Sequence, residues 1–155
     1  MKITCLLLLL SVIFSNLNAQ STQEEIDLIQ SVFGMEKKSL VKEFVKPEAA
    51  QKDAFWKLYD EYEIARKELG KKRIELLEKY SENFESLSNE FAGDLLKESL
   101  ALTKKTDKLV ESYVKKVAKA TDPAVAMQFH QIEMYILSEI RVAIASNLPF
   151  PEVKQ

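Results

Sequence analysis

The sequence predicts an all-α protein, an elongated bundle or hairpin-like array of four helices that run mostly antiparallel. The chain has only three glycines and four prolines, few for a sheet protein, and Ala, Leu, Glu and Lys dominate it. Apolar residues recur at spacings of three and four through most of the chain, as the helix period requires. Prolines and short polar stretches divide this pattern into four segments, and such short connections favour antiparallel neighbours.

The N-terminal segment, residues 1–19, is expected to be a secretory signal peptide. Lys2 precedes a short apolar run that closes on Ala19. This run is shorter than the roughly 20 residues that a membrane-spanning helix needs. Residues 20–155 are then expected to form a single helical domain with no integral membrane segment, in the periplasm or, as the alternative, secreted. Cys5 is lost with the signal, so disulfides and thiol chemistry are not expected.

The first predicted helix runs from about Gln23 to Val45. Thr22 is its expected N-cap, because Glu25 follows three residues later in the capping-box pattern. Pro47 ends this helix, since the residue before a proline is disfavoured in the α region. The same proline is expected to open the second helix as its first residue.

The second predicted helix is the longest and extends from Pro47 to about Asn83, on the order of 50 Å. Its apolar residues follow a helical period. We expect its outer face to carry acid–base pairs four residues apart, which are Glu63–Lys67, Glu68–Lys72 and Glu75–Lys79. The basic triplet at residues 71–73 could contact acidic lipid head groups or acidic clients, but glutamates lie nearby and a solvated face is expected.

Two further helices are predicted from their capping residues. Ser88 is the expected N-cap of a third helix that ends near Lys119, and Asp122 followed by Pro123 marks the start of a fourth. The fourth helix, from Ala124 to about Ser146, is the most apolar, with apolar residues on more than one face. We therefore expect it to be central in the bundle or at a dimer contact. These two arrangements fit the pattern equally well.

The aromatic run from Phe55 to Tyr62, with the sequence FWKLYDEY, resembles the small exported helical proteins of the Spy/CpxP family. Residues 87–91, LSNEF, stand in the register of that family's L-T-x-x-Q motif, with Ser for Thr and Phe for Gln. The resemblance covers roughly residues 45–150. It implies a cradle-like helical homodimer that acts as a periplasmic chaperone or damps envelope-stress signalling.

Trp56, Tyr59 and Tyr62 are the candidate partner-binding residues, because aromatic side chains are enriched at interfaces. The same residues also fit a place in the core, which is the commoner role of such a pattern. Phe55 and Trp56 point about 100° apart on a helix. Trp56 is therefore expected to be the more exposed of the two.

No catalytic residue, cofactor or metal site is expected. His130 is the only histidine, a poor start for a transition-metal site without cysteine partners, and no G-x-S-x-G elbow presents a nucleophile. The net charge of −2 argues against nucleic acid as a partner. The expected function is a non-enzymatic, periplasmic chaperone-like or envelope-stress-sensing protein that binds unfolded or envelope proteins. The alternative is a structural or interaction module that binds one specific envelope partner.

Overall fold

The computed structural model describes the backbone of residues 23–151 and the side chains of residues 33–151. Four α-helices make up this part of the chain, and it contains no strand, so the all-α prediction is confirmed. The helices are α1 (Gln23–Phe44), α2 (Lys52–Ser81), α3 (Asn89–Ala120) and α4 (Pro123–Asn147). The predicted signal peptide and the Thr22 cap lie outside the described residues.

The N-caps of α3 and α4 form as predicted. The Ser88 hydroxyl accepts a hydrogen bond from the Phe91 N–H at 3.2 Å. One carboxylate oxygen of Asp122 accepts the N–H groups of Ala124 and Val125 at 2.8 and 2.9 Å. These bonds satisfy donors that a helix N-terminus otherwise leaves without partners. The Val125 bond is also the main reason that the pKa of Asp122 lies below its ordinary value.

The start of the second helix differs from the prediction. Pro47 does not open α2, which begins only at Lys52 after a short 3₁₀ turn, Ala49–Gln51. The Gln51 side chain accepts the Glu48 N–H at 3.3 Å, and the Gln51 N–H donates to the Glu48 carbonyl at 2.9 Å. These local bonds form a tight turn that separates α2 from the proline.

Successive helices run antiparallel, as the contacts between them show. Lys37 of α1 contacts Glu63 of α2, and Lys46, just beyond α1, donates its N–H to Gln128 near the start of α4. The Tyr80 hydroxyl near the end of α2 donates to the carbonyl of Pro149, just beyond α4. The bundle therefore has an up-down-up-down topology in which α2 and α4 run in the same direction.

An aromatic cluster of α2 and α4 forms the centre of the core. Phe55, Tyr59 and Tyr62 of α2 meet Phe129 of α4, and all four side chains are at most 1% exposed. The Tyr62 and Phe129 ring centroids are 5.4 Å apart in an edge-to-face arrangement, which aromatic pairs favour. The other buried hydrophobic residues of this core are Phe33, Leu40, Val41, Val45, Val110, Tyr113, Val117, Val125, Ala126, Ile132 and Ile136.

Among residues 23–151, no helix has the length and apolar content that a membrane span requires.

Candidate functional site

Four charged side chains meet inside the bundle beside the aromatic core. We call Lys37, Glu63, Arg66 and Glu133 the buried charge cluster. Lys37 Nζ lies 2.5 Å from Glu63 Oε1 and 2.7 Å from Glu133 Oε1, and Lys37 and Glu133 are 1% and 0% exposed. Arg66 Nε donates to both Glu63 oxygens at 2.9 and 3.1 Å, and the Tyr62 hydroxyl donates to Glu133 Oε2 at 2.7 Å. Two cations face two carboxylates, so the cluster has no net charge.

The environment of the cluster keeps each shifted group in its usual state at neutral pH. Burial opposes ionisation of Glu63, but Lys37 and Arg66 outweigh it and hold the pKa of Glu63 below its ordinary value. Burial, followed by the charge of Glu133, raises the pKa of Tyr62 far above its ordinary value. Tyr62 therefore stays protonated and donates to Glu133. An acid–base catalyst would instead need a pKa near the working pH, which these shifts do not supply.

The position of Glu63 corrects the prediction of an outer-face pair with Lys67. Glu63 turns inward to Lys37 and Arg66, because α1 places a buried cation against it. The sequence contains a signal for this arrangement. Lys37 lies four residues from both Phe33 and Val41, within the apolar stripe of α1. A charge on the core side of a helix calls for a partner from a neighbouring element.

A cleft of about 540 Å³ opens beside the buried charge cluster. Lys37, Arg66 and Glu133 of the cluster line one part of it, and Arg73 and Arg141 line another. Most of the remaining lining is aliphatic or aromatic: Phe33, Leu69, Ile136, Leu137, Ile140, Ile144 and Leu148. An apolar cavity with a few polar groups is the usual form of a small-molecule site.

Arg73 is the cation of this cleft whose charge is least compensated. Its guanidinium donates to the hydroxyls of Thr103 and Ser99 at 3.1 and 3.4 Å, and within the described residues it meets no carboxylate. Burial, and then the positive charge of Arg141, lowers the pKa of Arg73. Arg141 pairs with Asp107 at 2.7 Å on the rim. The expectation of a solvated basic triplet is therefore wrong for Arg73, which is half-buried.

The outer face of α4 has an unusual composition for an exposed helix face. Every exposed residue of α4 from Pro123 to Ser138 is free of formal charge, although 30% of the chain is Asp, Glu, Lys or Arg. We call Phe44, Met127, Gln131, Met134 and Tyr135 the uncharged face; its four apolar members are 37–55% exposed, with Phe44 contributed by α1. Phe44, Gln131 and Tyr135 line a surface depression of about 250 Å³.

The uncharged face shows which side of α4 does not pack against the other described helices. Phe129, Ile132 and Ile136 pack inward, whereas Met127 and Tyr135 face outward. Of the two arrangements expected for the fourth helix, a central place in the bundle is thus wrong for its outer side, because no other described helix covers that side. A dimer contact there stays a prediction.

The three candidate partner-binding residues have different environments. Tyr59 and Tyr62 are 1% and 0% exposed, so they lie in the core and offer no surface to a partner. Trp56 is half-buried and Phe55 fully buried, which confirms their predicted order of exposure. Lys38 Nζ lies 5.6 Å from the centroid of the Trp56 ring, within the range of a cation–π contact. A partner-binding role for Trp56 stays a prediction.

Comparison with known proteins leaves the family open. No family model matches the chain, and no curated protein or solved structure matches it either. The resemblance to the Spy/CpxP family therefore stays an expectation. His130 is exposed, and the described residues contain no group of three or more His, Cys, Asp or Glu placed to hold a metal ion.

Proposed function

We propose that the protein is a non-enzymatic, chaperone-like binding protein of the periplasm that holds unfolded segments of other exported proteins on the uncharged face. The observation that supports this proposal is the group of exposed apolar side chains on that face. Helices on the surface of soluble proteins usually present charged residues to water, whereas α4 presents Met127, Met134 and Tyr135. Contiguous exposed apolar groups of this kind mark interaction surfaces.

The side chains of the uncharged face suit partners of varied sequence. Met127 and Met134 are unbranched and polarizable, so they can adapt to differently shaped apolar groups. Tyr135 adds a rigid ring with a polar tip, and Gln131 between them can exchange hydrogen bonds with a partner's backbone. These properties favour binding of apolar segments in general over recognition of one sequence.

A positive charge at one edge of the uncharged face supports the encounter with a client. The exposed Lys46 lies at this edge, because its N–H donates to the side chain of Gln128, which lines the same depression as Phe44. The Lys46 ammonium is held near this edge by the Lys42 carbonyl at 3.0 Å. An acidic unfolded chain would be attracted by this edge over about a Debye length, an attraction that salt weakens. The small apolar contact would then hold it with modest affinity, so that release needs no energy input.

The experiment is an aggregation-suppression assay on the exported chain with two unrelated unfolding substrates, at low and moderate salt. The test variant replaces Met127 and Tyr135 by Gln. The matched control replaces Leu96 and Leu100 of α3 by Gln, because these leucines are 61% and 63% exposed and lie outside the uncharged face. We expect the wild type and the control to protect both substrates at near-stoichiometric ratio, and the test variant to lose most of this protection.

Two results would contradict this proposal. Full protection by the Met127/Tyr135 variant would remove the uncharged face as the client site. Failure of the wild type to protect either substrate would instead favour the alternative, a module that binds one specific envelope partner. Loss of protection with salt would show that charge attraction takes part in the encounter step.

The periplasmic location rests on residues 1–19, which lie outside the described residues. N-terminal sequencing of the chain recovered from the periplasm tests it. The prediction of a signal peptide requires a new terminus near Gln20, and a chain that retains Met1 in the cytoplasm would contradict it.

A further inference from the structure

We propose that the cleft beside the buried charge cluster binds a single-chain amphiphile with an anionic head group, a long-chain carboxylate or phosphate monoester. The volume of the cleft, about 540 Å³, lies within the range of small-molecule sites, roughly 300–1,000 Å³. The cleft residues used here are different from those of the uncharged face. The inference therefore does not rest on the proposed chaperone function.

The apolar part of the cleft fits an aliphatic chain. Leu69 of α2 and Ile136, Ile140 and Ile144 of α4 line it, and α2 and α4 run in the same direction. The three isoleucines are four residues apart, so their side chains form an apolar strip along one face of α4. Gly70 also lines the cleft and adds no side chain to fill it. An extended hydrocarbon chain along this strip would leave water and bury apolar surface on both sides.

The polar part of the cleft fits an anionic head group. Arg73 is held by two neutral hydroxyls and is half-buried, whereas Arg141 on the rim already pairs with Asp107. An anion beside the Arg73 guanidinium would supply its counterion and accept paired N–H donors, the geometry that carboxylates and phosphates provide. Deeper in the cleft, Arg66 Nη2 is buried and has no hydrogen-bond partner among the described residues, so one donor of the otherwise neutral cluster is unfilled.

The combination of these features selects the ligand class. A neutral lipid would leave the Arg73 charge with no counterion among the described residues, whereas a small anion such as acetate would leave the apolar strip exposed to water. A cationic amphiphile would place a second uncompensated positive charge beside Arg73. Only an anion with an aliphatic chain satisfies both parts of the cleft.

The experiment is calorimetric titration of the exported chain with dodecanoate, dodecyl phosphate and dodecanol, each below the concentration at which it aggregates. We expect both anions to bind, with dodecanol at least about tenfold weaker, because charge-assisted hydrogen bonds to the head group are lost. The two anionic arms distinguish a carboxylate from a phosphate as the preferred head. Dodecanol binding as tightly as dodecanoate, or no binding of either anion, would overturn the proposal.

Variants assign the head-group site. Arg73→Gln keeps a donor for the hydroxyls but removes the charge, and we expect it to weaken the anions about tenfold and to leave dodecanol unchanged. The matched control is Lys119→Gln, which removes one exposed positive charge from the last turn of α3, outside the cleft. If circular dichroism shows that Arg73→Gln does not fold, the exposed Arg141→Gln takes its place. Equal anion affinity in the folded cleft variant and in Lys119→Gln would overturn the assignment.

The same titration separates this inference from the proposed function. The Met127/Tyr135 variant should bind dodecanoate as the wild type does, because neither residue lines the cleft. A loss of dodecanoate affinity in that variant would place the amphiphile on the uncharged face and overturn the cleft assignment.

Discussion

Replacing Lys37 by Met removes the cation at the centre of the buried charge cluster and keeps an unbranched side chain of similar length. Lys37 Nζ lies 2.5 Å from Glu63 and 2.7 Å from Glu133. In the variant Glu63 keeps Arg66, but Glu133, which is 0% exposed, keeps only the neutral Tyr62 hydroxyl. The variant therefore leaves one carboxylate buried without a counterion.

The magnitude follows from that uncompensated charge. Removing one partner of a buried ion pair costs about 3–5 kcal/mol, out of a total folding stability of roughly 5–15 kcal/mol. For a domain of this size the expected loss corresponds to a melting temperature lower by roughly 10–20 °C. A loss this large should also be visible as a lower urea midpoint with an unchanged slope.

Thermal and urea unfolding at pH 7, followed by circular dichroism, provides the measurement. Lys38→Met is the matched control, because Lys38 is the next residue and pairs with Asp60 on the surface, where both side chains are at least 36% exposed. An exposed pair is worth at most about 1 kcal/mol. The double variant Lys37→Met/Glu133→Met should lose less unfolding free energy than the sum of the two single variants, because it removes the buried carboxylate together with its counterion.

Two results would refute this reasoning. A Lys37→Met protein as stable as Lys38→Met would show that Lys37 is not buried among the two carboxylates. Strict additivity of Lys37→Met and Glu133→Met would show that the two side chains do not interact, even if each variant is unstable.

Three further predictions concern the core, a helix cap and pH. Phe129→Ala should lower the free energy of unfolding by about 3–5 kcal/mol, since the ring is 1% exposed, and an unchanged urea midpoint would contradict its place in the core. Ser88→Ala should cost about 1 kcal/mol through loss of the bond from the Phe91 N–H, whereas Ser88→Asp should retain most of the stability; equal unfolding midpoints for the two variants would argue against the cap. The pKa of Glu63 is lowered despite burial, so its stabilising effect is present above the unfolded value of about 4.3 and is lost as the pH falls through the lower folded value. The difference in unfolding free energy between wild type and Glu63→Gln should therefore shrink from pH 7 towards pH 3, and a constant difference would refute the ionic role of Glu63.

Local signals account for the parts of the fold that could be predicted. The Ser88 and Asp122 caps and the helical period of the apolar residues act within a few positions along the chain, and the structure confirms them. The start of α2 was less predictable, because Pro47 tolerates both the first turn of a helix and an extended position before one. The hydrogen bonds between Glu48 and Gln51 stabilise the 3₁₀ turn, which favours the extended position of the proline.

The candidate sites depend on which face of each helix meets a neighbour. The charge on Lys37 is visible in the sequence, but its two partners come from α2 and α4, which are distant along the chain. In the sequence Arg73 is one of three adjacent basic residues that favour a solvated face. In the folded chain its guanidinium donates to Thr103 of α3. The sequence pattern also leaves the outer side of α4 undecided, because an apolar helix fits both a core and an exposed contact surface.

Composition, periodicity and bonds between near neighbours were enough to predict the helical class, the number of helices and two of their caps. The core positions of Tyr59 and Tyr62, the contact of Glu63 with Lys37 and the place of Arg73 in an apolar cleft are evident only in the folded chain. Burial and ion pairing depend on the rotation and register of each helix against its neighbours. Many distant side chains set that rotation together, and no short stretch of the chain records it.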